Sequence, residues 1–172
     1  MKIEFDEIEE LIQSEDRTMV FRFFLAFSRF EYALKRAGFL RKEKIPKAEA
    51  DWDRFSQENN AAFERLFKSQ RLQSACDFYD KNPPKKQIYK DGTLDWGEAP
   101  QQNPTYLLNL LRMVRRVRNN LFHGGKFSSL ITEPARDRNL IKNSLTILKD
   151  CLPLNPLVNS FFTETEWRQP HS

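Results

Sequence analysis

The sequence predicts a single all-α domain over residues 1–172, an up-and-down helical bundle of about five helices, and three observations lead there. Glycine is scarce, at 5 of 172 residues, against the roughly 7% of an average chain. Tight hairpins and sandwiches need backbone positions with φ > 0, so this count disfavours an all-β fold. Apolar residues instead recur at helical spacing through every long segment. Phe is also abundant, 15 residues against 3 Trp and 4 Tyr, which supplies the apolar bulk that disordered chains of similar charge lack.

Residues 5–12 place Phe5, Ile8, Leu11 and Ile12 on one helical face. Asp16 is the expected N-cap of the next helix, which runs to about Ala37 and stops at Gly38. Its stripe is Val20, Phe23, Phe24, Phe27, Phe30 and Leu34, widened by Phe21, Leu25 and Tyr32. So wide an apolar face suits a central helix or one that also meets a second subunit. Glu31 falls inside this stripe, where a carboxylate needs a cation.

Pro46 marks a boundary, and a helical stretch is expected from about Lys47 through Tyr79, with a break near Ser69–Arg71. Trp52, Phe55, Phe63, Leu66, Phe67, Leu72, Cys76 and Phe78 are its apolar members. Residues 82–104 hold Pro83, Pro84, Pro100, Pro104, Gly92 and Gly97 and read as a loop with a short strand pair around Ile88 and Leu94. Pro104 suits a first helical position. The helix it opens reaches about Phe122 on Leu107, Leu110, Leu111, Val114, Val117 and Leu121, and Gly124-Gly125 stops it. A further helix is expected from Pro134 to Leu152, and Leu157, Val158, Phe161 and Phe162 can dock one more short element.

The chain carries 28 Lys and Arg against 24 Asp and Glu, a net +4. The distribution is uneven. Residues 1–16 hold Lys2 against Glu4, Asp6, Glu7, Glu9, Glu10, Glu15 and Asp16. Between Pro104 and His123 lie Arg112, Arg115, Arg116 and Arg118 and no acid. A basic helix of this kind suits a phosphate-facing surface, or simply a solvated face. No apolar run approaches the roughly 18 residues of a membrane span. The acidic start MKIEFDEIEE lacks the order of a signal peptide, so a cytoplasmic protein with no membrane association is expected. Cys76 and Cys151 are too few for a disulfide framework and are expected as reduced thiols.

The sharpest local signal is Arg118-Asn119-Asn120-Leu121-Phe122-His123-Gly124-Gly125, at the end of a strongly amphipathic helix with Leu121 and Phe122 expected to pack. An Arg and a His beside one phosphodiester suffice for RNA cleavage without metal. The imidazole takes the 2′-hydroxyl proton or protonates the leaving oxygen. The guanidinium offers a permanently charged fork to the phosphorane. DNA lacks the 2′-hydroxyl and is spared by the chemistry itself.

Arg118, four intervening residues and His123, with the polar Asn119 directly after the Arg, resemble the Rx4–6H motif of the HEPN superfamily. These are small helical domains of toxin–antitoxin modules, phage-defence systems and CRISPR-associated ribonucleases, and the likeness covers about residues 17–152. The resemblance implies a metal-independent endoribonuclease without cofactor. Arg118, His123 and Asn119 would be catalytic, and Arg112, Arg115, Arg116 and Lys126 would contact RNA phosphates. It also implies a homodimer whose two copies of Arg118 and His123 line one cleft, and an antitoxin or defence-system partner protein. Members silenced by a nucleotidyltransferase carry a Tyr two residues past the His; Gly125 stands there in this chain.

Other readings compete for the same residues. Positions i and i+5 lie about 140° apart on a helix, so either the helix unwinds at His123 or two subunits complete the site. Arg116 would satisfy the motif at six-residue spacing and shares a helix face with His123. Arg118 or Arg115 can instead pair with Glu31, and His123 can be a C-cap. Asn120 reads as a surface polar residue. Trp52, Trp96 and Trp167 can stack bases or pack. Lys81, Lys85, Lys86 and Lys90 can touch an RNA backbone or simply face water. A non-catalytic HEPN-like module that binds RNA, a nucleotide or a protein is the alternative function, and a scaffold whose acidic start covers the basic surface is a third.

Overall fold

The computed structural model describes residues 7, 10, 12–42, 47–66, 69–98, 105–123 and 134–164. Among these, six α-helices and one two-stranded antiparallel ribbon occur: α1 Ser14–Arg36, α2 Trp52–Leu66, α3 Gln70–Lys81, β1 Lys86–Lys90, β2 Thr93–Gly97, α4 Tyr106–Phe122, α5 Pro134–Cys151 and α6 Pro156–Thr163. The molecule is therefore mostly helical, and the ribbon departs from a purely helical domain. Helix α1 packs on α5 and α6, α2 on α4, and α5 on both α3 and α4.

Helix α1 starts three residues earlier than the sequence suggests. Gln13 occupies the N-cap position, and Asp16 lies within the first turn, buried and paired with Arg138 of α5. The N-terminal end of the dipole favours a carboxylate there, and Arg138 compensates its burial. At the other end Gly38 takes φ +86°, which glycine adopts without a Cβ penalty. Phe39 N–H then donates back to Leu34 O at 2.9 Å, closing the helix.

The following helix begins at Trp52, not Lys47. Leu40 and Ala50 form an isolated antiparallel bridge, and residues 47–51 are not helical. Asp51 then accepts from Arg54 N–H at 2.9 Å, as an N-cap residue does. The expected break is present between α2 and α3, and so is the strand pair around Ile88 and Leu94, with Ile88 opposite Asp95 and Tyr89 opposite Leu94. Helix α4 opens after Thr105. Asn155 caps α6, accepting from the backbone of Leu157 and Val158, with Pro156 at the first helical position. The expected helix over 5–12, Pro46, Pro100, Pro104, Gly124-Gly125, Lys126 and Trp167 lie wholly or mostly outside the described residues.

Phe23, Phe27, Phe30 and Leu34 of α1 join Trp52, Phe55 and Phe63 of α2 in the core. Trp52 stacks on Phe27 and Phe30, with ring centroids 5.2 and 5.3 Å apart. Each such side chain contributes about 1.5–3 kcal/mol on burial. From the other side α4 contributes Leu107, Leu110, Leu111, Val114 and Val117, and α5 contributes Leu140, Ile141, Ile147 and Leu148. Tyr79 is buried with its hydroxyl 2.6 Å from Ser144 Oγ. Among the described residues no helix is long and apolar enough to cross a membrane.

Cys76 and Cys151 are both free and buried. Burial pushes the Cys76 thiol from its ordinary 9.0 up to about 12, and raises Cys151 and Tyr79 as well. The folded state thus keeps protons that the unfolded chain releases. The contribution of the Cys76 thiol to stability is fully present below about pH 9 and is lost as pH climbs toward 12. Thermal melts are expected to show a falling midpoint above pH 9, with a shallower slope in Cys76→Ala; a slope unchanged by that substitution contradicts the assignment.

Candidate functional site

The last turns of α4 carry the motif, and the packing of α4 decides which way each side chain points. Val114, Val117 and Asn120 face inward, so Arg118 emerges toward α1 and His123 emerges at the helix end. The helix does not unwind before His123, because its N–H still donates to Asn119 O at 2.9 Å. His123 is the C-cap residue, with φ −86° and ψ 14°, and it is exposed.

Arg118 is half-buried and held from three sides. Its guanidinium carbon lies 4.8 Å from the Phe27 ring centroid, a cation–π arrangement. One terminal nitrogen donates to Asn119 Oδ1 at 2.9 Å. The other stands 3.6 Å from Glu31 Oε2. Glu31 therefore finds its cation in Arg118, and its other oxygen accepts from Trp52 Nε1 at 3.4 Å. Asn119 is exposed beside Arg118. The apolar stripe of α1 marks Glu31 as needing a cation; it gives no sign of the Trp52 hydrogen bond, which comes from another helix.

Phe122 links the two motif residues in space. Its ring centroid lies 5.7 Å from that of His123, edge-on, and 6.0 Å from the Arg118 guanidinium carbon. Contrary to expectation Phe122 is not packed away: it is 65% exposed. It stacks on Phe24 of α1, with centroids 6.3 Å apart and planes 7° from parallel. Phe24 belongs to an outward row with Phe21, which is 61% exposed, and Leu25, spaced i, i+3 and i+4 on one helix face. An apolar patch therefore borders Arg118 and His123.

The remaining arginines separate into two kinds. Arg112 and Arg115, expected to contact phosphate, both reach Asp53 of α2, at 2.8 and 3.8 Å. Arg115 also lies 5.9 Å from the Trp52 ring; burial lowers its pKa, and Asp53 opposes that shift. The single carboxylate of Asp53 thus offsets one of their two charges inside the protein. Arg116 has no carboxylate partner among the described residues. It is half-buried, its pKa lowered by that burial, and it donates to Pro84 O at 3.0 Å. Asn120 is no surface residue: it is buried and donates to Lys85 O at 2.9 Å. Nothing in the sequence near Asp53 marks it as the counter-ion for α4, because the pairing runs between helices.

Trp52 is a core residue, not a base-stacking platform, and Trp96 is half-buried on the ribbon. Among the described residues no group of three His, Cys, Asp or Glu side chains is arranged to hold a metal ion. Chemically, the arrangement offers an exposed imidazole with a positioned guanidinium one ring away. Compared with known families, curated proteins and solved structures, the chain matches none.

The Arg118–Glu31 contact is partly exposed, so its worth in stability is modest. A double-mutant cycle with Glu31→Ala and Arg118→Ala is expected to give a coupling of ~0.5–1 kcal/mol by chemical denaturation. Strict additivity of the two substitutions contradicts the pairing.

Proposed function

We propose that this protein is a HEPN-like, metal-independent endoribonuclease that cuts RNA through attack of the 2′-hydroxyl, in a bacterial toxin or antiviral defence role. One observation carries the reading. Arg118 and His123 flank the same exposed Phe122 ring, at the border of an apolar patch of Phe21, Phe24 and Leu25. In one protomer the guanidinium faces α1 and the imidazole faces solvent, which matches the roughly 140° offset of their positions. A homodimer formed across Phe21, Phe24, Leu25 and Phe122 brings the second pair alongside the first. A two-fold axis through that patch makes the contact self-complementary.

In such a cleft His123 removes the 2′-hydroxyl proton as the O2′–P bond forms. Arg118 stabilises the added negative charge on the phosphorane. The P–O5′ bond then breaks, and a protonated imidazole delivers a proton to the departing O5′. The products are a 2′,3′-cyclic phosphate and a 5′-hydroxyl. The 3.6 Å Glu31 contact is longer than the roughly 2.7–2.9 Å of a strong charge-assisted hydrogen bond. A phosphate oxyanion therefore competes well for the guanidinium while Glu31 and Asn119 keep it aimed.

A second reading is favoured by charge compensation. Glu31 offsets Arg118, and Asp53 serves both Arg112 and Arg115, as suits a HEPN-like module that binds RNA, a nucleotide or a protein without cutting. Incubation of purified protein with RNA in EDTA separates the two. The nuclease reading expects new ends carrying cyclic phosphate, lost in His123→Ala and in Arg118→Ala by about 100-fold or more. Cutting that stops with EDTA, or persists in both variants, overturns it.

The dimer has its own check. Phe21→Glu and Phe24→Glu place charge on residues that are already exposed, so the fold tolerates them. Sedimentation equilibrium is expected to show the mass falling from two chains to one, with RNA cleavage lost in parallel. Variants that stay dimeric contradict the assigned face.

A further inference from the structure

The ribbon formed by β1 and β2 adds little to the core, yet it is fixed firmly at its base. Three successive backbone carbonyls leading into it are bound by side chains of the bundle. Pro83 O accepts from Arg136 at 3.2 Å, Pro84 O from Arg116 at 3.0 Å, and Lys85 O from Asn120 at 2.9 Å. Asn120 lies three residues before His123, so the ribbon springs from the same end of α4 that carries the candidate site.

The pairing register sorts the ribbon into two faces, since directly opposed residues share a side and neighbours alternate. One face carries Gln87, Tyr89, Leu94 and Trp96, and has no charged residue. Tyr89 is 76% exposed and Leu94, directly across from it, is 70% exposed. The other face carries Lys86, Ile88 and Lys90 opposite Gly97, Asp95 and Thr93. Asp91 sits at the tip and Glu98 follows β2, and Asp95 Oδ1 accepts from Trp96 N–H. Lys85, Lys86, Lys90, Arg116 and Arg136 have no carboxylate partner among the described residues. An aromatic ring left in water, on an arm whose root carries uncompensated cations, is a combination that holds a single-stranded nucleic acid: π-faces receive bases and cations track phosphates.

We infer that the 86–97 ribbon is a single-strand RNA-binding arm, in which Tyr89 stacks on a base and the cations at its root, Arg116 and Lys85 foremost, hold the phosphates leading toward His123. This rests on the ribonuclease reading for the identity of the strand and deepens it by naming how the substrate is held. Five residues per strand reach about 15 Å from the bundle, enough for a few nucleotides beyond the site. Tyr89 can stack only on a base whose face is free of a duplex stack, and it does so whatever the base, so the arm confers a preference for unpaired RNA over duplex without sequence preference.

The test uses the full chain carrying His123→Ala, so that binding is read without cleavage. A short fluorescein-labelled oligouridylate is titrated and followed by fluorescence anisotropy. Adding Tyr89→Leu, which keeps apolar surface and removes the ring face, is expected to weaken binding about tenfold. Tyr89→Trp, which keeps a ring face, is expected to bind as the parent does. Lys85→Gln is expected to flatten the salt dependence by about one ion's worth, for the phosphate no longer neutralised. Equal binding by Tyr89→Leu and its parent overturns the arm, as does binding of duplex and single strand with equal strength. If wild-type protein leaves RNA uncut while the Tyr89 dependence holds, the nuclease reading fails and the arm stands.

Discussion

Trp52 is the hinge between the apolar interior and the charged edge of this molecule. Its ring is buried and stacked on Phe27 and Phe30, which ties α2 to α1. Its Nε1 is thereby aimed at Glu31, and Glu31 in turn receives Arg118 from α4. A buried aromatic residue thus orders an ion pair that would be mobile on an open surface, where such pairs are worth little. The same ring lies under Arg115. The positions of two α4 guanidinium groups therefore trace back to core packing rather than to local helix geometry.

The helices are legible in the sequence because their burial is periodic. Phe23, Phe27, Phe30 and Leu34 repeat at helical spacing and are all buried, and Gly38 ends α1 where only a residue without Cβ sits comfortably. Local preference fails where a neighbouring segment overrides it. Asp16 looks like a cap but is claimed by Arg138, more than a hundred residues away. Lys47 looks like a helix start, but Ala50 is taken up by its bridge to Leu40 and the helix begins only after Asp51.

The candidate site is legible as a motif and not as a geometry. Arg118, Asn119 and His123 stand out by type and spacing, but only the fold shows that Phe122 is exposed and lies between the guanidinium and the imidazole. Asn120 shares the motif's polar character, yet it faces inward and clamps Lys85 O. Charge counting also misleads. Four arginines without an acid on the same helix suggest a strongly basic surface, whereas Asp53 of α2 serves two of them. Pairing between helices leaves no periodic trace in either one.

In the proposed assembly the two protomers share one reactive cleft, so a guanidinium from one chain can serve an imidazole from the other. Mixing purified Arg118→Ala protein with purified His123→Ala protein, after brief dissociation and reassociation to allow subunit exchange, tests this most directly. Hybrid dimers retain one intact Arg118 and one intact His123, on different chains, and the account predicts that RNA cleavage returns in the mixture while each parent stays inactive. A mixture as inactive as its parents, with subunit exchange verified, contradicts it.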